Sequence, residues 1–171
     1  IATFRSPDTK GEVRVGVCND YVLSFMPAIL ANYAQQYPQV HINLDCQTSV
    51  RLTSAVTRNE LDLALVNVVQ QDIAYDTLSR EPLVWVTSSR HLVHELDPMP
   101  LAIESNCPWG RWAQRALDSA RHKYRLAYTT FNIAGVTAFV EAGLAVSVMS
   151  RNSVPPGLRI LTEADGFPEL P

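Results

Sequence analysis

The chain has 171 residues, 47% of them hydrophobic and 18% charged, with a formal net charge of -3 and a mean hydropathy near zero. This composition suits one globular domain or two small ones, and it excludes the basic footprint of a nucleic-acid-binding domain. No apolar run approaches the ~20 residues of a membrane span. The three cysteines are widely spaced and form no C-x-x-C pair, which argues against a disulfide framework or a zinc site.

Residues 1–10 read as a linker: they carry no apolar core like that of a signal peptide. The missing initiator Met suits a fragment or a processed product. Val13 to Val17 reads as a buried strand. Phe25, Met26, Ile29, Leu30, Tyr33 and Tyr37 fall at helical spacing, with Pro27 tolerated in the first turn and Pro38 ending the helix. Val40, Ile42 and Leu44 alternate as a strand. Thr48 or Ser49 can cap the next helix, whose apolar face is Leu52, Ala55 and Val56. A turn at Asn59 and Glu60 introduces a third strand, Leu61 to Val66, and Leu83 to Val86 is a fourth.

A second series begins near Pro98. Leu101 to Ile103 is a short strand. Trp109, Trp112, Ala113, Ala116, Leu117 and Ala120 mark one helical face, and Arg125 to Tyr128 is a strand. Ile133, Val136 and Val140 mark another helix, with Gly143 as its C-cap. Ala145 to Met149 reads as a fully buried strand and Leu158 to Leu161 as a short one. Strands that alternate with helices imply parallel sheets whose carboxyl ends open on one edge. Small ligands bind at such edges.

The predicted architecture is α/β, with two Rossmann-like subdomains about a cleft. Residues 11–87 plus 151–171 form subdomain I and residues 88–150 form subdomain II. Two hinge strands join them, near Val86 and Thr87 and near Ser150 and Arg151.

The candidate ligand-binding residues follow from that edge. Cys18, Asn19 and Asp20 end the first strand, Thr48 and Ser49 the second, and Asn67 the third. Helix N-termini there favour an anionic effector such as a carboxylate, whereas Asp20 favours a cation or a hydroxyl donor. Asp20 and Ser49 are equally readable as plain helix caps. In the second series, Cys107 and Trp109 follow one strand, and Thr130, Phe131 and Asn132 follow another. They are expected to face the first group across the cleft and to give it an aromatic wall. Trp109 and Phe131 also suit a plain core, and Trp112 suits packing only.

Cys18, Cys46 and Cys107 each precede a predicted helix, which is half of what a redox-sensing thiol needs; the other reading is burial. Nucleophile-elbow, zinc-protease, phosphate-loop and dinucleotide motifs are all absent, so an enzyme is not expected, nor a cofactor or metal. His41, His91, His94 and His122 are scattered, and Arg111, Arg115, Arg121 and Lys123 suit a solvated helix face. Free thiols fit a reducing compartment, hence the cytoplasm.

Four segments in order carry a family resemblance: Gly11-Glu-Val-Arg-Val-Gly16; Pro27 and Leu30 with Tyr37-Pro-Gln-Val40; Asn59-Glu-Leu-Asp-Leu-Ala-Leu-Val66; and Val140-Glu-Ala-Gly-Leu-Ala-Val-Ser-Val-Met149. Together they resemble the effector-binding domain of LysR-type transcriptional regulators. Asn59 and Ala145 stand where the family usually has Gly, and Ser150 where it has Pro. Cys18-Asn-Asp-Tyr21, Glu81-Pro-Leu-Val-Trp-Val86 and Asn106-Cys-Pro-Trp109 are similar to an LrhA-like subgroup.

The resemblance implies a type-2 periplasmic-binding-protein-like fold that senses a small-molecule effector and forms a homodimer or homotetramer. It further implies an N-terminal helix-turn-helix ahead of residue 1, and a last strand and helix after Pro171. Promoter DNA and RNA polymerase would be met only through that longer protein, and no membrane is involved. A solute-binding protein of a transport system is the alternative that shares the fold.

Overall fold

The structure, a computed structural model, describes residues 9–67, 73–105 and 107–170. The linker expected at 1–10 lies mostly outside the described residues, as does Asn106. By contacts the chain divides into two compact units, Ile1–Asp76 and Thr77–Pro171.

The first unit is a parallel three-stranded sheet in the order β2-β1-β3, where β1 is Gly11–Cys18, β2 is Val40–Gln47 and β3 is Leu63–Leu65. Strand β1 is central. It pairs Gly11 through Cys18 with Val40 through Gln47, and Val15 to Val17 with Leu63 to Leu65. A one-turn helix α1, Asn19–Val22, follows β1, and α2, Met26–Gln36, carries Pro27 in its first turn as expected. Helix α3, Ser49–Thr57, returns the chain from β2 to β3.

The core of this unit gathers Val17, Cys18, Tyr21, Met26, Leu52, Ala55 and Leu61. Gly16 keeps it tight. A Cβ there would stand 2.7 Å from the side chains of both Leu52 and Leu61.

The second unit is built on β4, Leu83–Ser88, with every residue buried. It lies between β7, Ser147–Ser150, and β8, Leu158–Leu161, and is antiparallel to both. Strands β5, Met99–Glu104, and β6, Tyr124–Thr130, form a parallel pair. A parallel bridge from Leu101 to Val146 carries the ladder on towards β7. Helices α4, Pro108–Ser119, and α5, Ile133–Glu141, complete the unit.

The pairing of β4 with β7 and β8 places residues 77–87 and 151–170 in this unit, whereas the sequence assigned them to the first subdomain. The two stretches expected as hinge strands are thus neighbours on one antiparallel ladder, Leu83 opposite Ser150 and Val86 opposite Ser147. Its core holds Leu83, Trp85, Met99, Leu101, Trp109, Leu117, Val146 and Phe167, among others. No described helix is long and apolar enough to cross a membrane.

Three helices end in the same way. After α3, Asn59 adopts φ 57, and the Glu60 amide donates back to the Ala55 carbonyl at 2.9 Å. After α4, Arg121 adopts φ 55, and the His122 amide donates to Leu117 at 2.9 Å. After α5, Gly143 adopts φ 69, and the Leu144 amide donates to Phe139 at 3.0 Å. Each is a left-handed stop that satisfies otherwise orphaned helix carbonyls.

Asn tolerates the left-handed region, which is why Asn59 can stand where the family resemblance leads one to expect Gly; Arg121 has no such compensation. Arg121→Gly is therefore expected to raise stability by up to about 1 kcal/mol in urea unfolding. Gly143→Ala should lower it by more than the roughly 1–2 kcal/mol of left-handed backbone alone. A Cβ there would lie 2.3 Å from the His91 ring. Equal stability of all three proteins would refute this account of the helix stops.

Candidate functional site

The register of the first sheet sets Cys18 beside Gln47 and Val17 beside Leu65, so three strands end level with one another. Their first residues beyond the ladder meet in a small polar network. The Ser49 hydroxyl lies 2.5 Å from Asn67 Oδ1 and accepts from the Asn67 amide at 3.3 Å. Asn67 Nδ2 donates to Asp20 Oδ2 at 3.0 Å, and the Cys18 thiol donates to the same oxygen at 3.4 Å. Ser49 Oγ is also 3.6 Å from Cys18 Sγ. With the Ser49 hydrogen on Asn67 Oδ1, every donor in this set meets an acceptor. Cys18, Asp20 and Ser49 are buried and Asn67 is half-buried.

Capping does not account for Asp20 or Ser49. The N-cap positions of α1 and α3 are Cys18 and Thr48, and neither side chain makes a capping bond. Asp20 and Ser49 sit inside the first turns, turned toward the strand ends instead. Asn19 and Thr48 are half-buried, and the network does not take up their side chains.

Burial dominates the electrostatics. It raises the Cys18 thiol to about 11, helped by the Asp20 charge and opposed by the Ser49 hydrogen bond. Burial likewise raises the Asp20 carboxyl, against hydrogen bonds from Cys18, its own backbone and Asn67. Cys46 is exposed, yet its thiol is raised by partial burial and by Asp45. A sensing thiol needs the opposite shift, so the redox reading of Cys18 and Cys46 loses its physical basis.

In the second unit, Cys107 is the N-cap of α4 and makes no side-chain capping bond, and Trp109 is buried in the core. Both line a shallow recess, partly open to solvent, with Ile103, Gly110, Ile133 and Ser147. Sequence reasoning passed over those four. The available signal was Gly110, a glycine in the first turn of a helix, where a Cβ would come within 3.1 Å of Ile103.

Thr130, Phe131 and Asn132 lie outside that lining. Thr130 ends β6 and is half-buried. Phe131 is 74% exposed, so it is not core. Asn132 does cap its helix, its side-chain oxygen accepting from the Gly135 amide at 3.1 Å. Among the described residues no group of three or more His, Cys, Asp or Glu is placed to hold a metal.

Comparison with known proteins follows the same outline. The pattern of the LysR substrate binding domain matches residues 7–167. The HTH-type transcriptional regulator DgdR of Burkholderia cepacia is 32% identical over 162 residues, 94% of this chain and 55% of that protein. The HTH-type transcriptional regulator PecT of Dickeya dadantii (strain 3937) is 25% identical over 171 residues, 99% of this chain and 54% of that protein. The chain thus spans about half the length of these curated relatives.

Among solved structures, the regulatory domain of CcmR from Synechocystis PCC6803, in complex with 2-PG, superposes with a TM-score of 0.73 at 20% identity, covering 93% of this chain and 83% of that one. The C206S regulatory domain of OxyR2 from Vibrio vulnificus gives 0.69 at 17% identity, covering 89% and 79%. At such identities the likeness speaks to the fold alone.

Two outcomes test this electrostatic picture. At pH 8, iodoacetamide should label Cys46 in the folded protein and leave Cys18 unmodified until urea unfolds it, as read by peptide mass spectrometry; equal labelling rates would refute the buried, protonated thiol. Asp20→Asn should gain stability relative to wild type as pH rises. A folded-state pKa above the unfolded value of about 3.9 gives stability that is present at low pH and lost as pH climbs through the raised value. Urea titrations from pH 4 to pH 8 should show the two proteins diverging upward, and a constant difference would sink the assignment.

Proposed function

Since the chain belongs to the LysR family as an effector-binding domain of periplasmic-binding-protein-like α/β fold, we propose that it holds a small-molecule effector at the carboxyl ends of the parallel strands of its first unit. The observation that carries this reading is the convergence of Cys18, Ser49 and Asn67 from three separate strand ends, within hydrogen-bonding distance of one another.

The network consumes Ser49, Asn67 and Asp20, so the groups left to meet an effector are the Asn19 and Thr48 side chains and the first amides of α3. Those amides carry the positive end of a helix dipole. With the Asp20 carboxyl turned inward, the edge suits a compact effector with an acceptor or anionic group. In the second unit, Cys107, Trp109, Thr130, Phe131 and Asn132 are the corresponding strand-end set. The 2-PG complex of the CcmR domain supports the expectation of a small ligand.

In the longer protein, effector binding would act on promoter DNA through a helix-turn-helix that this chain does not contain. It can do so only if the effector has different affinity for two states of a homodimer or homotetramer. Regulator relatives on both sides of the curated comparison favour this reading over a transport solute-binding protein. The LrhA-like subgroup rests on the sequence segments at Cys18–Tyr21, Glu81–Val86 and 106–109 alone.

Thermal unfolding against small carboxylates, aromatic acids and amino acids tests the proposal. A ligand at ~100 times its Kd should add about 2.7 kcal/mol. The gain should concentrate in one chemical class and shrink in Thr48→Ala and Asn19→Ala. A flat response across every class would defeat the small-molecule reading and leave the network as a structural tie.

A further inference from the structure

With the Leu101 to Val146 bridge joining β5 to β7, the outer strands of the described sheets are β2, β3, β6 and β8. Three of these are poor templates for a further strand. Strand β3 is three residues long and β8 four, and β8 carries Arg159. Strand β6 carries Arg125 and meets β5 through a register shift between Leu101 and Ala102. Short strands, basic side chains and bulges are the usual devices that keep an edge from pairing. Strand β2 has none of them. It runs for eight residues, Val40–Gln47, in unbroken register with β1 and without Lys, Arg or Pro, and no described strand pairs with its outer side.

The surface beside that edge is uncharged. From Tyr21 to Leu44 no Asp, Glu, Lys or Arg occurs, and the stretch covers α2 and most of β2. Helix α2 does not hide its apolar residues as an ordinary surface helix does. Only Met26 is buried, while Pro27, Ala28, Ile29, Ala31 and Ala34 are exposed. Exposed apolar surface without charge is the mark of a contact with another chain. Leu30 of α2 and Leu44 of β2 pack against the same core, which keeps this helix beside the open strand.

The side chains of β2 indicate which strand fits there. Laid antiparallel on a second copy of itself, with a two-fold axis at Asn43, β2 sets His41 opposite Asp45 and Asp45 opposite His41. Asn43 meets Asn43. On the other face Ile42 meets Leu44, and Val40 and Cys46 form the outermost pair. Each directly opposed pair shares a face, as antiparallel pairing requires. Asp45 is the one charged residue of β2. Neither its carboxylate nor the His41 ring has an ion-pair or hydrogen-bond partner among the described residues. A neutral imidazole donates an N–H to a carboxylate as a charged one does, so the match does not depend on protonation.

We propose that β2 pairs antiparallel with β2 of a second copy of this chain about a two-fold axis at Asn43, joining two three-stranded sheets into one of six strands. Antiparallel pairing puts both copies of α2 on the same side of the joined sheet, where their exposed apolar residues cover one another. Each copy gives and receives the same pairs, so the contact closes at two chains. The proposal rests on the functional reading for the second copy alone, and no effector enters it.

Site-directed cross-linking tests it. In a Cys46→Ser background, Asn43→Cys and His41→Cys each place a new thiol at an exposed position of β2. Asn43 gives up only a 3.5 Å contact with Glu12. Across the axis the two residues at position 43 stand about 4.5–5.5 Å apart at Cα, a span that a disulfide bridges. Those at position 41 face Asp45 instead of each other and are roughly 13 Å apart. Mild oxidation, read by non-reducing electrophoresis and mass spectrometry of the bridged peptide, should link Asn43→Cys into a covalent dimer and leave His41→Cys unlinked. Asn43→Lys opposes two ammonium groups on the axis and should weaken the dimer by about fivefold in sedimentation velocity.

A chain that stays monomeric at every concentration overturns the proposal. Equal linking at positions 41 and 43 does the same. So does a dimer that gives no link at position 43 or is indifferent to Asn43→Lys, since it uses another face. Each of these results leaves the effector reading to its own thermal-unfolding test.

Discussion

Parallel strands end together, and wherever they do, several chain segments must leave one narrow edge at once. In the first unit, Cys18, Ser49 and Asn67 leave within a few ångströms of each other, and each brings a polar group out of the strand ladder and into partial or full burial. A buried polar group without a partner costs about 1–3 kcal/mol. Three such groups left unmatched would consume much of the stability of a small domain. The arrangement of Ser49 on Asn67, and of Asn67 and Cys18 on Asp20, avoids that cost only as a complete set. Such networks are unforgiving when one member is missing. This is why the same edge can be well ordered without side-chain caps: Thr48 and Cys18 occupy the cap positions, and neither side chain makes a capping bond.

The first unit was largely legible because its signals were local. The alternation in Val40, Ile42 and Leu44, the prolines at 27 and 38, and the spacing of Leu52, Ala55 and Val56 each depend on a few neighbouring residues, and each produced the expected element. The convergence at the edge was also legible, since parallel order alone fixes which residues follow strand ends. The use made of those residues was not. Ser and Asp lead the list of helix caps, and one position decides between a cap and an inward-facing side chain. Helix α3 begins one residue, and α1 two residues, earlier than a capping role for Ser49 and Asp20 requires, and helix starts are where sequence reasoning is least sharp. Asn132 met the same expectation and does cap, because its helix begins at Ile133.

The second unit shows where local signals stop. Nothing in Leu83 to Ser88 tells whether the strand runs parallel or antiparallel, since a strand buried on both faces reads as one continuous apolar run either way. Its partners lie 60 to 80 residues away in sequence, at Ser147–Ser150 and Leu158–Leu161. Pairing at that distance follows from which faces remain uncovered after the helices have packed. The residues at 151–170 accordingly joined this unit through β8 and through Phe167 on Trp85, contacts that no short window contains.

The two units also handle buried polarity differently. At the first edge, Ser49, Asn67 and Cys18 are tied by hydrogen bonds to one another or to Asp20 Oδ2. On the buried strands of the second, Ser147 donates to the Ala102 carbonyl at 2.7 Å and Ser88 meets His91 Nδ1 at 2.9 Å, but the Thr87 and Ser150 hydroxyls find no partner among the described residues. Each uncompensated hydroxyl costs about 1–3 kcal/mol on a strand where valine would fit the same shape. Thr87 on β4 and Ser150 on β7 therefore leave the second unit short of the stability its apolar core could give it. Regions that open locally are drawn from such under-stabilised parts of a structure. The edge network and the buried strands are therefore two answers to the same constraint: one matches its polar groups to each other, and the other offsets its bare hydroxyls with the apolar burial around them.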